Sequence, residues 1–255
     1  ELTKAMLRRV LIVALIAVCF LSASVAATPI GYNPILVPKS TGNTKITWTV
    51  LNSSNDAFAL YWSGSGAWLA ENGSAMIFEI TGVEEDVEGM LTLGNMTWSS
   101  NDTEIAMDLT LSVWSVSNPW LPGFIVKTGE SNLNQLNSTA FAAAARVSGN
   151  YMNGTMTSSY EQVVAGGAEY DCIVFDYVQD PTLFGEPQLT RLSYDIETGV
   201  LVRANTSYSF GTPFILILEL SSISPSADFE FWLAASALAG GGILVVVILA
   251  VLRRR

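Results

Sequence analysis

The stretch TMTSSYEQVVAGGAEYDCIVFDYV, residues 155–178, decides how this chain is read. Two runs rich in strand-forming residues, 155–165 and 169–178, flank Gly166-Gly167. A glycine pair between such runs supplies the positive φ of a tight hairpin. The same style continues outward. Residues 188–196 and 200–209 are separated by Glu197-Thr198-Gly199, with the glycine suited to a left-handed position. In the second of these, Arg203, Asn205 and Ser207 fall opposite Val202, Ala204, Thr206 and Tyr208. Residues 214–220 (FILILEL) are nearly all apolar and read as a covered strand.

The first half carries matching signals. Residues 45–51 (KITWTVL) read as a strand, and 76–81, 88–97 and 105–113 as three consecutive antiparallel strands. The turns between them fall at Gly82 with Glu84-Glu85-Asp86, and at Asn101-Asp102. In 105–113 every odd position is apolar: Ile105, Met107, Leu109, Leu111 and Val113. One segment has helical spacing instead. Leu133, Leu136, Ala140, Ala144 and Val147 form one stripe, with Ser131 or Asn132 as start signals and Gly149 as a stop. The expectation is a mainly β domain, an antiparallel up-and-down meander with one helix between two groups of strands. This layout resembles the open half-barrels of lipoprotein-carrier domains, whose concave sheet holds acyl chains. A two-sheet sandwich fits the same strings.

Both ends differ from this middle. Arg8 and Arg9 precede an uninterrupted apolar run over 10–21, followed by small residues including Ser24 and Ala26. That is the three-part layout of a secretory signal, expected to occupy 1–27. Near the other end, 232–252 contains no charge and is followed by Arg253, Arg254 and Arg255. A helix of that length spans roughly 31 Å, enough to cross a bilayer. The expected organisation is therefore a β-rich domain over 28–220, a linker over 221–228, a membrane helix over 229–252 and a basic tail over 253–255. The arginines place the tail in the cytoplasm and the domain outside the cell. The tail is also similar to those cut by sortase-like enzymes, but Ser224-Pro225-Ser226-Ala227-Asp228 matches none of their motifs.

Composition excludes several activities. The chain has 255 residues, no His and a net charge of −11. Imidazole chemistry is absent, and a nucleic-acid binder would carry the opposite charge. Between the two apolar ends, six basic residues face 21 carboxylates. The sequon Asn-x-Ser/Thr occurs at Asn52, Asn72, Asn95, Asn101, Asn137, Asn153 and Asn205, all in the segment expected outside. Cys172 is left without a partner once the signal is removed and reads as a small buried hydrophobe. The many sequons and the anchor resemble archaeal-type cell-surface glycoproteins, a likeness of organisation that implies no activity.

Three local features are candidates for function. Asn118-Pro119-Trp120-Leu121-Pro122-Gly123-Phe124 is a turn bearing apolar residues, so Trp120, Leu121 and Phe124 form a possible contact patch. Glu84, Glu85, Asp86 and Glu88 cluster without the ligand pattern of a calcium loop. Asp176 and Asp180 end a strand. No phosphate loop, nucleophile elbow or cysteine cluster occurs. The reading is non-enzymatic, without cofactor or metal: a single-span glycoprotein binding an apolar, lipid-like ligand or a membrane-proximal protein. The alternative is a cell-envelope component or adhesin acting by self-association.

Overall fold

The computed structural model describes residues 31–39, 42–64, 66–109, 120, 122–181, 185–210 and 212–224. The expected signal segment, the expected membrane helix, the expected basic tail and Leu121 lie outside the described residues. The elements are β1 (Lys45–Ser53), β2 (Phe58–Ala59), β3 (Ala67–Trp68), β4 (Ala75–Val83), β5 (Val87–Leu93), β6 (Met96–Asn101), α1 (Asp102–Asp108), α2 (Glu130–Arg146), β7 (Gly154–Ala165), β8 (Ala168–Gln179), β9 (Leu189–Asp195), β10 (Leu201–Phe210) and β11 (Thr212–Ser224). A short 3₁₀ turn, Pro34–Leu36, precedes them.

Alternation in each strand builds one antiparallel sheet of nine strands, ordered β6-β5-β4-β1-β11-β10-β9-β8-β7. β2 and β3 form a separate two-stranded ribbon. The first strand thus lies in the middle, between β4 and the last strand. Ile46, Trp48 and Val50 point to one face and are fully buried. Register aligns Ile46 with Phe78, Trp48 with Met76 and Leu220, and Val50 with Leu218. Leu192, Phe175 and Ala204 extend the same buried face across β8, β9 and β10. Each large side chain taken from water there contributes about 1.5–3 kcal/mol.

The chain covers this face with its own connections. Phe124 packs edge-on against Trp48 at 5.1 Å, and Trp120 against Phe175 at the same separation. Phe58 of the ribbon meets Phe214 at 4.9 Å. Ile105 and Ala106 of α1, and Leu133, Ala140 and Ala143 of α2, join the same core. Among the described residues this is one sheet with helices and connections over its inner face, not two large sheets facing each other.

The outer face is approached by the β7–β8 turn. The Gly166 amide donates to Glu219 Oε1 (3.3 Å), beside the β11 backbone. A Cβ on Gly166 would lie 2.7 Å from the Ser221 carbonyl oxygen and 2.9 Å from that of Leu220. The glycine pair therefore does more than turn the chain; it lets the hairpin tip lie against another strand.

Several expectations need correction. Residues 105–113 do not begin a strand, because α1 runs through Asp108. Asn101 caps this helix, accepting from the Glu104 amide at 2.8 Å, and two acidic residues occupy its first turn. Ile105, Ala106 and Leu109 are buried, a helical spacing that the odd-position alternation concealed. The third strand of that group comes from 96–101, because 88–97 folds into a hairpin at Gly94, whose φ is +59°. Among the described residues there are thus two α-helices, where one was expected within the β-rich domain. Neither Ser131 nor Asn132 caps α2; Gly129 does, without a side-chain bond, while Asn132 Nδ2 donates to the Thr128 carbonyl (2.7 Å). β11 also runs four residues into the expected linker, since Ser222, Ile223 and Ser224 pair with Thr47, Ile46 and Lys45. No helix of the described residues is long and apolar enough to cross a membrane.

The two turn glycines separate the causes. Gly167→Ala meets nothing within 4 Å and costs only its left-handed backbone (φ +81°), about 1–2 kcal/mol. Gly166→Ala adds a collision with the β11 backbone. Urea unfolding of the full chain is expected to find Gly166→Ala the more destabilised by a further 1–3 kcal/mol or so.

Candidate functional site

Two carboxylates near the ends of α1 organise the surface that the sheet leaves available. Asp102 opens the helix and is 2% exposed. Its Oδ1 accepts from the Val87 amide and its Oδ2 from the Phe124 and Ile125 amides, each at 3.1 Å. One side chain thus ties the start of β5 to the connection that covers Trp48. Gly123 (φ +80°) is required beside it, because a Cβ there would run into Oδ2. The Gly123 carbonyl accepts from the buried Tyr194 hydroxyl (2.8 Å). Burial pushes the Asp102 carboxyl up to about 7, with nearby Asp86 adding to the rise and the three N–H donors opposing it.

Asp108 closes the same helix. A carboxylate at a helix C-terminus is unfavourable on its own. Here it accepts from three successive amides, those of Tyr61 (2.9 Å), Trp62 (3.0 Å) and Ser63 (2.7 Å), and from the Ser63 hydroxyl (2.6 Å). Trp98 holds the other side of this loop, its indole N–H donating to the Ser63 carbonyl. Gly64 lies against the same indole, where a Cβ would not fit. The backbone is gripped from two sides, yet the Tyr61 and Trp62 side chains are 83% and 61% exposed. Sequence reasoning missed this pair. Adjacent aromatics between two short β segments were its only local signal.

A cleft of about 380 Å³ opens between α2, Trp120 and residues 122–127. Trp120, Ile125 and Leu136 give it apolar walls, and Lys127, Gln135 and Thr139 give it polar ones. The Lys127 ammonium lies 5.5 Å from the centre of the Tyr32 ring. Among the described residues no carboxylate lines the cleft, and none there forms the paired acids of a glycosidase. Trp120 and Phe124 are both buried and form part of the core, so their rings are not presented as a surface patch.

The other candidates have structural partners. Asp176 pairs with Arg191 at 2.6 Å, and Asp180 accepts from Asn153 Nδ2. Glu84, Glu85 and Asp86 occupy the exposed β4–β5 turn, with Glu88 on β5 beside it, and no group of three potential metal ligands converges among the described residues. Burial, with Asp195, Asp171 and Glu161 nearby, pushes the Cys172 thiol up to about 12, which keeps it protonated. The sequons divide. Asn52, Asn72, Asn95 and Asn205 are exposed, whereas Asn101, Asn137 and Asn153 are partly buried and hydrogen-bonded.

Both carboxylates give measurable consequences. Asp102 has a folded pKa near 7, above the roughly 3.9 of an unfolded chain. Its contribution is complete below about pH 4 and is lost as pH rises through 7. Unfolding free energies measured from pH 4 to 8 are expected to fall more steeply for the native chain than for Asp102→Asn, in which this titration is absent. Parallel curves would contradict the assignment. For Asp108→Ala, hydrogen exchange at the Tyr61, Trp62 and Ser63 amides is expected to quicken about tenfold or more, while β1 and β11 stay protected. No protein-family model matches this sequence, and no curated protein is significantly similar to it.

Proposed function

We propose that this chain is a membrane-tethered, exported glycoprotein whose β domain binds a membrane-proximal protein through the loop bearing Tyr61 and Trp62. The observation that carries the reading is the contrast at that loop, with aromatic side chains in solvent on a backbone fixed by Asp108 and Trp98. A preorganised aromatic pair gives a partner large contact area at little entropic cost. The packing of the inner face by the chain's own residues argues against an acyl chain held there, and favours a macromolecular partner over a lipid-like cargo. Only 225–228 separate β11 from the expected membrane helix. Those four residues reach roughly 14 Å when extended, so the tether keeps the domain near its own bilayer.

Self-association is the second reading, and one feature favours it. β7 is a twelve-residue edge strand with no Lys, no Pro and no break in its register with β8. Edges usually carry such protections against pairing with another copy.

A photo-crosslinking residue at position 62 of the full chain, in native membranes, tests the first reading. It is expected to give one discrete protein adduct, absent when the same residue replaces exposed Glu71. Adducts to lipid alone, or to a second copy of the chain, would contradict it. The Tyr61→Ala/Trp62→Ala variant is expected to weaken association at least tenfold while leaving unfolding within about 0.5 kcal/mol of the native chain. Protease added to intact cells is expected to digest the domain; protection would refute export.

A further inference from the structure

We infer that glycans are confined to Asn52, Asn72, Asn95 and Asn205, and that Asn101, Asn137 and Asn153 stay bare. The inference rests on the export reading and adds to it which positions are modified and where on the domain they lie. In the transfer, Asn Nδ2 bonds to C1 of a phosphate-activated, lipid-linked oligosaccharide supplied by the host. The C1–O bond to phosphate breaks, its electron pair leaves with the phosphate, and Nδ2 gives up one proton to solvent. The product keeps a bulky sugar on that nitrogen, so the native fold accepts it only where the amide already stands in water.

The four exposed asparagines meet that condition and make no side-chain hydrogen bond among the described residues. The other three side chains are built into the fold. Asn153 is held at both ends of its amide, accepting from the Gly149 N–H (3.0 Å) and donating to Asp180. Asn137 lies on α2 and accepts from Ser158 of β7 at 2.6 Å. Its sequon threonine, Thr139, is also engaged, donating to the Leu136 carbonyl and accepting from the Trp120 indole. Asn101 caps α1, and the middle residue of its sequon is the buried Asp102.

Asn52 and Asn205 both pair with Ile217, on the face opposite the buried Leu216 and Leu218, so two sugars would flank a half-buried isoleucine. Ile217 lies seven residues from Ser224, roughly 23 Å along the strand from the expected tether. Asn95 lies in the β5–β6 turn and Asn72 just before β4, both at the end of the sheet remote from Ser224. Asn101, at the end of β6, lies toward the tether end and is one of the three held sites.

Glycopeptide mapping of the full chain, purified from its native membranes, tests this beside protease treatment of intact cells. Sugar found only among the four exposed sites is the expected result. Sugar at Asn101, Asn137 or Asn153 would overturn the inference. A protease-accessible chain with no sugar would overturn it too and leave export standing. A protease-protected chain would refute export and the inference together.

Discussion

The fold depends on the pairing of β1 with β11. Each half of the sheet is a meander of sequential neighbours, β4-β5-β6 on one side and β7 through β11 on the other. Within the described sheet only β1 pairs with both halves, hydrogen bonding to β4 along one edge and β11 along the other. Trp48 secures the junction. Fully buried, it donates from Nε1 to the Leu201 carbonyl at 2.7 Å and packs on Phe124. One side chain of the first strand thus reaches β10 and the covering connection. A buried indole left without this acceptor would bear a desolvation cost of about 1–3 kcal/mol.

With that junction formed, two carboxylates fix what the sheet does not. Asp102 and Asp108 stand at opposite ends of one short helix and each gathers backbone amides from distant segments. Asp102 works inward and holds the lid over Trp48. Asp108 works outward and freezes a loop whose side chains remain in solvent. Helix α1 is therefore the link between core and surface, with Ile105 and Ala106 anchored in the core and Asp108 gripping the aromatic loop.

Much of the sheet was legible because alternation is local. The hairpin at Gly166-Gly167, the turn at Gly199 and the strands at 45–51 and 214–220 all stand near where their patterns place them. The stripe from Leu133 to Val147 likewise gave α2. Failures occurred where two patterns share the same residues. Ile105, Met107 and Leu109 alternate, yet Asn101 and Glu104 start a helix there, and the cap prevails. The site was far less legible. Nothing near Asp102 in sequence tells that it will bind amides 15 and 22 residues away, or near Asp108 that it will seize a loop 45 residues upstream. The sequons show the same limit, since the same short motif lies in turns, two strands, a helix and a cap, and only tertiary context separates them.

Cross-strand disulfide trapping tests the central junction most directly. Thr47 of β1 faces Ser222 of β11 on one side and Ile77 of β4 on the other. Neighbouring strands lie about 4.8 Å apart, within disulfide reach, and strands two places apart do not. The Thr47→Cys/Ser222→Cys chain is expected to oxidise readily and to unfold at higher urea when oxidised, while Ile77→Cys/Ser222→Cys stays reduced. Equal oxidation of both pairs, or of neither, would contradict a single sheet joined through its first and last strands.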